Sequence, residues 1–157
     1  MKRISVLLAG GLFAAFSAGA PAHAQPTGLE YRLKAAEGDG DIFAYDHGDA
    51  MTFARRPFMS GKDFATVAVR KGKHGGEWMV ELTTSAAGRK KFIDIMKSVG
   101  GREFCLIFRN VVQACDMVTF DAEVVNAAGA IVDEIYGRAK ADRLAAQMRA
   151  EIAKAQR

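Results

Sequence analysis

A chain of 157 residues, half of them hydrophobic and a quarter charged, has the size and balance of one globular domain with at most a small appendage. No repeat and no low-complexity segment interrupts it. A net charge of +4 without a strong basic cluster excludes the usual profile of a nucleic-acid binder.

The first 24 residues read as a signal peptide rather than as part of the fold. Lys2 and Arg3 make a positive start, ISVLLAGGLFAAFSAGA is an apolar run of small residues, and Ala22-His23-Ala24 is an A-x-A cleavage site. Cleavage is expected between Ala24 and Gln25. As a membrane anchor the run is short against the roughly 20 residues of a span, and no Cys follows it to carry a lipid. No later stretch is apolar enough to cross a bilayer. The mature chain is therefore expected to be exported, soluble and periplasmic, without a transmembrane segment. Cleavage removes two basic residues and no acidic one, so the net charge falls to about +2.

Along the mature chain, GLEYRLKAA places Leu29, Tyr31, Leu33 and Ala35 on one face and charges on the other, the pattern of a half-buried strand. Glu37–Asp41 is a turn, IFAYD a second strand, Asp46–Asp49 a turn and MTFAR a third strand closed by Pro57. In the connector PFMSGKDF, Ser60 is placed to cap a short helical turn over Gly61, Lys62 and Asp63. Residues 64–83 predict a β-hairpin around the Gly-rich loop Lys71–Gly76. Ser85 is an N-cap. Phe92, Ile95, Met96 and Val99 form one helical stripe, and Gly100-Gly101 ends the helix. EFCLIF, a tight turn at Arg109-Asn110 and VVQACDMVTF predict a second hairpin. AIVDEIYG reads as strand or as first helical turns. Ala141, Leu144, Ala145, Met148 and Ile152 then mark a closing helix.

Helices falling between runs of strands predict an α+β fold: a mixed or antiparallel sheet with two amphipathic helices on one face, ferredoxin-like in outline. The expected division is a signal peptide at 1–24, a β-rich segment at 25–57 and an α+β domain at 58–157.

Chemistry is sparse. His47 in DHGD and His74 in GKHGG read as exposed turn residues, and no H-E-x-x-H or C-x-x-C spacing predicts a metal. Asp39, Asp41, Asp46 and Asp49 lack EF-hand spacing and read as turn residues. No G-x-S-x-G elbow or P-loop is present. No catalytic residue, cofactor or metal ligand is predicted. Cys105 and Cys115 flank the second hairpin. With a two-residue turn and a regular ladder Cys105 faces Ala114 and no bridge forms. A three-residue loop or a bulge brings Cys105 opposite Cys115, and a disulfide becomes possible. Otherwise the pair acts as two small hydrophobes.

The stretch RRPFMSGKDFATVAVRKGKHGGEWMVELTTSAAGRKKFIDIMKSVGGREFCLIFRNVVQACD resembles the first periplasmic domain of SecD, in the SecDF protein-export translocase family. Pro57, Ser60, Gly61 and Asp63 match one motif of that domain. Ser85, Gly88 and Phe92 match a helix start, Arg109-Asn110 the hairpin turn, and Ala141, Leu144 and Ala145 the final helix. Asp116 stands where Pro is usual, and Lys140 where Glu is usual. The membrane helices of the family have no counterpart here, so no motor function is expected. The resemblance implies an exported, non-enzymatic module whose partner is a polypeptide or an envelope protein. Strand addition to an unpaired sheet edge within residues 60–120 is the expected mode, with Phe58 and Met59 as candidate apolar contacts, although such residues more often pack between subdomains. Two alternatives stand beside it: a small periplasmic enzyme with an unrecognised site, and a structural or inhibitory module for one specific partner. Oligomeric state is not legible.

Overall fold

In a computed structural model of the chain, residues 28–72, 75–117 and 129–157 are described. In chain order they form β1 (Leu29–Leu33), β2 (Asp41–Tyr45), β3 (Ala50–Phe53), β4 (Met59–Ser60), a 3-10 turn (Gly61–Asp63), β5 (Phe64–Lys71), β6 (Glu77–Thr84), α1 (Ala86–Ser98), β7 (Glu103–Phe108), β8 (Val111–Met117), β9 (Gly129–Tyr136) and α2 (Arg138–Ala155). The expected signal peptide and its cleavage site at Ala24 and Gln25 lie outside the described residues, as does His74.

The architecture is α+β, with the strands divided between two sheets. The larger sheet runs β3-β2-β8-β7-β1-β4 and the smaller β5-β6-β9. The larger sheet is mixed: β2 and β8 run parallel, and its other pairs are antiparallel. AIVDEIYG, open between two readings in sequence, is strand β9, paired antiparallel with β6. Gly137, at a φ of 96° that favours glycine, breaks the chain between β9 and α2.

Both helices and the smaller sheet pack on one face of the larger sheet. Leu29 and Tyr31 of β1, Phe104, Leu106 and Phe108 of β7, Phe92 and Met96 of α1, and Met148 and Ile152 of α2 join one core. At its centre the Tyr31 ring stacks on Phe58 at 5.7 Å and meets Phe104 edge-on at 5.3 Å. Such ring pairs add about 0.5–1.5 kcal/mol each beyond burial of area.

The far face of the larger sheet is also covered. Phe43, Phe53, Cys105, Ile107 and Val112 form a second cluster there. The cover comes from curl. Lys34, just past β1, bridges Phe53 of β3, while Ala35 N–H donates to Thr52 O at 2.9 Å and Ala54 N–H to Leu33 O at 2.9 Å. β1 is therefore buried on both faces, against the half-buried strand read from its alternation. Glu30 and Arg32 go inside with it, 7% and 6% exposed. Buried charges persist only when paired. Arg32 Nε donates to Glu30 at 2.7 Å, and its Nη1 to Asp41 at 2.6 Å and to the carbonyls of Ala54 and Arg55 at 3.0 and 2.9 Å. Its guanidinium also lies 4.9 Å from the Phe43 ring centre.

Candidate functional site

The two motifs of the first half meet. Ser60 N–H donates to the Asp63 carboxylate at 2.8 Å, which closes the 3-10 turn, and Lys91 of α1 reaches the same carboxylate at 3.1 Å. The Asp63 carbonyl accepts from Ser85 N–H at 2.9 Å and from Ser85 Oγ at 3.2 Å. Ser85 Oγ in turn accepts the Gly88 N–H at 3.0 Å, the N-cap bond expected from sequence. These bonds are spent on shaping backbone: they close the 3-10 turn and start α1.

At the second hairpin, the turn is the two-residue Arg109-Asn110, with φ of 51° and 67°. Those left-handed angles suit the twist of a tight hairpin. Phe108 pairs with Val111 and Ile107 with Val112, but Leu106 pairs with Ala114. Gln113 is thus an extra residue, and the bulge sets Cys105 opposite Cys115. A disulfide joins them, with Cα atoms 4.0 Å apart. Close approach of this kind belongs to the non-hydrogen-bonded pairs of an antiparallel ladder. Tyr45 Oη lies 2.9 Å from Cys115 Sγ. Its phenol pKa is raised, first by burial and then by the negative charge of Glu103. Among the described residues, Glu103, Cys105 and Cys115 are the group whose ligating atoms gather within 4.8 Å, and both sulfurs are spent in the disulfide.

The other residues named from sequence scatter. Phe58 and Met59 lie in the core, 9% and 1% exposed, and offer no apolar surface to a partner. The reason is the aromatic cluster around Tyr31, which takes Phe58 as a stacking partner. His47 is exposed, stacks on Tyr45 with ring centres 4.8 Å apart and pairs with Asp49 at 3.2 Å. Asp41 serves Arg32, far from His47 in role.

Two accessible features remain. One is a shallow hollow of about 460 Å³ beside the β2–β3 hairpin, walled by Lys34, Glu37, Ile42, Met51 and Thr52 among others. Ile42 there is 72% exposed, the large hydrophobic side chain most open to water among the described residues. In β2 Ile42 alternates with the buried Phe43 and faces the other way.

The other is the outer edge of β5, the first strand of the smaller sheet. A register shift between Phe64 and Thr66 makes Ala65 an extra residue, after which Thr66, Ala68 and Arg70 face Thr83, Glu81 and Met79. Gly72 N–H donates to Glu77 O at 2.9 Å and fixes the parity of the ladder. Main-chain groups of alternate residues point to opposite sides of a strand. Those of Val67, Val69 and Lys71 therefore point away from β6. Arg149 of α2 satisfies the Val67 carbonyl at 3.0 Å. No described residue pairs with the outer side of Val69 or Lys71. Arg70, exposed, is tied across the ladder to Glu81.

Comparison with known proteins follows the same outline. Residues 36–153 match the family described as SecDF, P1 head subdomain. A solved structure of SecDF, a membrane component that enhances protein export, superposes with a TM-score of 0.61 at 16% identity over 80% of this chain and 63% of that one. SecDF in a super-membrane-facing form superposes with a TM-score of 0.60 at 16% identity over 80% of this chain and 19% of that one. The chain thus spans less than two thirds of either. No curated protein matches it in sequence. With three quarters of its length inside one family match and the fold of that family's solved members, the chain belongs to the SecDF P1 head subdomain family.

Proposed function

We propose that this chain is a periplasmic, non-catalytic module of protein export that holds an extended polypeptide by strand addition along the distal half of β5. Family membership supports the link to export, since the solved relative is a membrane component that enhances protein export. The signal-peptide pattern of residues 1–24 supports the compartment. The observation that carries the mode is the outer edge of β5, where the main-chain groups of Val69 and Lys71 point away from β6 and meet no described residue. An extended chain pairing there gains ladder hydrogen bonds whatever its sequence, and alternate side chains add only modest preference. That suits a module meeting many unfolded clients. It also suits an edge with exposed Arg70 and Lys71, since charges on an edge discourage permanent pairing while leaving it reversible.

Trp78 makes the test direct. It is the single Trp of the chain and sits opposite Lys71 in the β5–β6 ladder. Titration with an extended peptide of alternating Val and Thr should change Trp78 emission with saturation in the micromolar to millimolar range. A control peptide N-methylated at alternate residues, which cannot complete the ladder, should bind at least about tenfold more weakly, the equivalent of about 1.4 kcal/mol. Silence up to millimolar peptide, or equal binding of the methylated control, sinks the reading.

A second reading rests on Ile42. An apolar side chain 72% exposed beside a hollow fits docking of one specific partner better than general peptide capture. Stoichiometric recovery of one periplasmic protein, lost in Ile42→Asp, would favour it.

A further inference from the structure

Arg149 of α2 and Gln156, the residue that caps its C-terminus, reach around the edge of β5. Arg149 Nε donates to the Val67 carbonyl at 3.0 Å, and Gln156 Nε2 to the Phe64 carbonyl at 3.1 Å. The spacing is in step. Seven residues of α-helix rise about 10.5 Å, and three residues of extended strand cover about 10 Å. An i, i+7 pair on the helix therefore meets carbonyls three residues apart on the strand.

In a regular strand, residues three apart point opposite ways. The extra residue at Ala65 cancels that. Phe64 and Val67 are both buried in the core, and their carbonyls both face α2. Met148, the residue before Arg149, is wholly buried. One helical step of about 100° then carries the exposed Arg149 to the flank of α2, beside the strand edge.

We infer that Arg149 and Gln156 are an edge guard: they occupy the proximal carbonyls of β5, stop an added strand at Val67 and confine it to the Val69–Lys71 stretch. The occupant, an extended polypeptide, rests on the strand-addition reading above; the occupation of the two carbonyls does not. A longer pairing would have to displace both donors and give up their hydrogen bonds. The guard thus caps the ladder at a few bonds and keeps the hold weak and releasable. It also withholds the proximal edge from a second copy of the chain.

The test uses the full chain carrying Arg149→Ala with Gln156→Ala, and separately Arg149→Met, which keeps the stem and loses the donor. Both residues are exposed, so thermal melting should confirm retained folding. Anisotropy of a labelled alternating Val/Thr peptide and sedimentation of the free protein are the readouts. The double variant should bind an eight-residue peptide about tenfold more tightly than the parent and gain nothing for a four-residue one. Equal affinity of parent and variant for the longer peptide overturns the guard and leaves peptide binding intact. An equal gain for the short peptide overturns it too, because the short ladder never reaches Val67. If neither protein binds any peptide, the strand-addition reading falls and sedimentation decides the guard. Self-association confined to the variant supports it; identical sedimentation overturns it.

Discussion

Gly88 at the start of α1 lies against the carbonyl of Asp63: a β-carbon built on Gly88 would come within 1.9 Å of that oxygen. No backbone carbonyl tolerates such an approach, so the close seat of α1 on the 3-10 turn exists only because the residue is glycine. Gly88→Ala should push α1 off the turn, breaking the Ser85 bonds to Asp63 and loosening Phe92 in the aromatic cluster. The expected cost is about 3 kcal/mol. Urea unfolding should show it, while Ala87→Gly, one residue away on an exposed position, should cost no more than about 1 kcal/mol. Equal losses would mean that helix propensity, not the contact, is at stake.

Arg32 holds two carboxylates and two carbonyls in the covered far face of the larger sheet. Arg32→Met removes the cation paired with Glu30, whose side chain is 10% exposed. Leaving a buried carboxylate alone costs about 3–5 kcal/mol. Glu30→Gln added to Arg32→Met should recover part of that loss, because no buried bare charge then remains; Asp41, the other carboxylate that loses Arg32, is half-exposed and keeps its water. A double variant as unstable as Arg32→Met would show that the carbonyl bonds to residues 54 and 55 dominate. Chemical denaturation of the three proteins decides between the two.

The Cys105–Cys115 bridge closes a short loop, 10 residues in sequence separation. Its effect falls on the unfolded chain, since the hairpin already aligns the strands. Replacing both by Ala should lower stability by about 2–3 kcal/mol and leave the circular dichroism spectrum unchanged. A spectrum that collapses instead would mean the Gln113 bulge depends on the bridge.

Tyr31 gives the fold a signed alkaline dependence. Its phenol pKa is raised, first by burial and second by the charge of Asp116. A raised folded pKa means that the native state holds the proton more tightly than the unfolded chain. The resulting stability is whole below the ordinary tyrosine value near 10 and is lost as pH climbs beyond it. The melting temperature should therefore fall above about pH 10, and less steeply in Tyr31→Phe. Identical slopes for the two proteins would remove Tyr31 as the cause.

Local chemistry wrote the elements into the sequence. Ser60 and Ser85 announce their helical turns because the closing bond lies within three residues: at Ser85 the hydroxyl accepts Gly88 N–H, and at Ser60 the backbone N–H donates to Asp63. The Phe92 and Met148 stripes announce α1 and α2 because apolar spacing reports a buried face. The α+β outline and the family resemblance follow from such short-range patterns. Other features depended on residues far apart in the chain. Glu30 and Arg32 look like a wet face until the bridge from Lys34 to Phe53 curls the sheet over them. Phe58 looks like an exposed connector until Tyr31, 27 positions earlier, stacks on it.

By itself the sequence determined both hairpins, the turns and the apolar stripes of the helices, since each rests on contacts between near neighbours; AIVDEIYG stayed open between strand and helix because its partner β6 is far away in the chain. Tertiary structure alone decided which strand edges stay open, that a bulge at Gln113 aligns the two cysteines, and that Arg149 reaches Val67. The physical reason is register: a single extra residue reverses which way a strand's groups point, and only the partner strand's position reveals it.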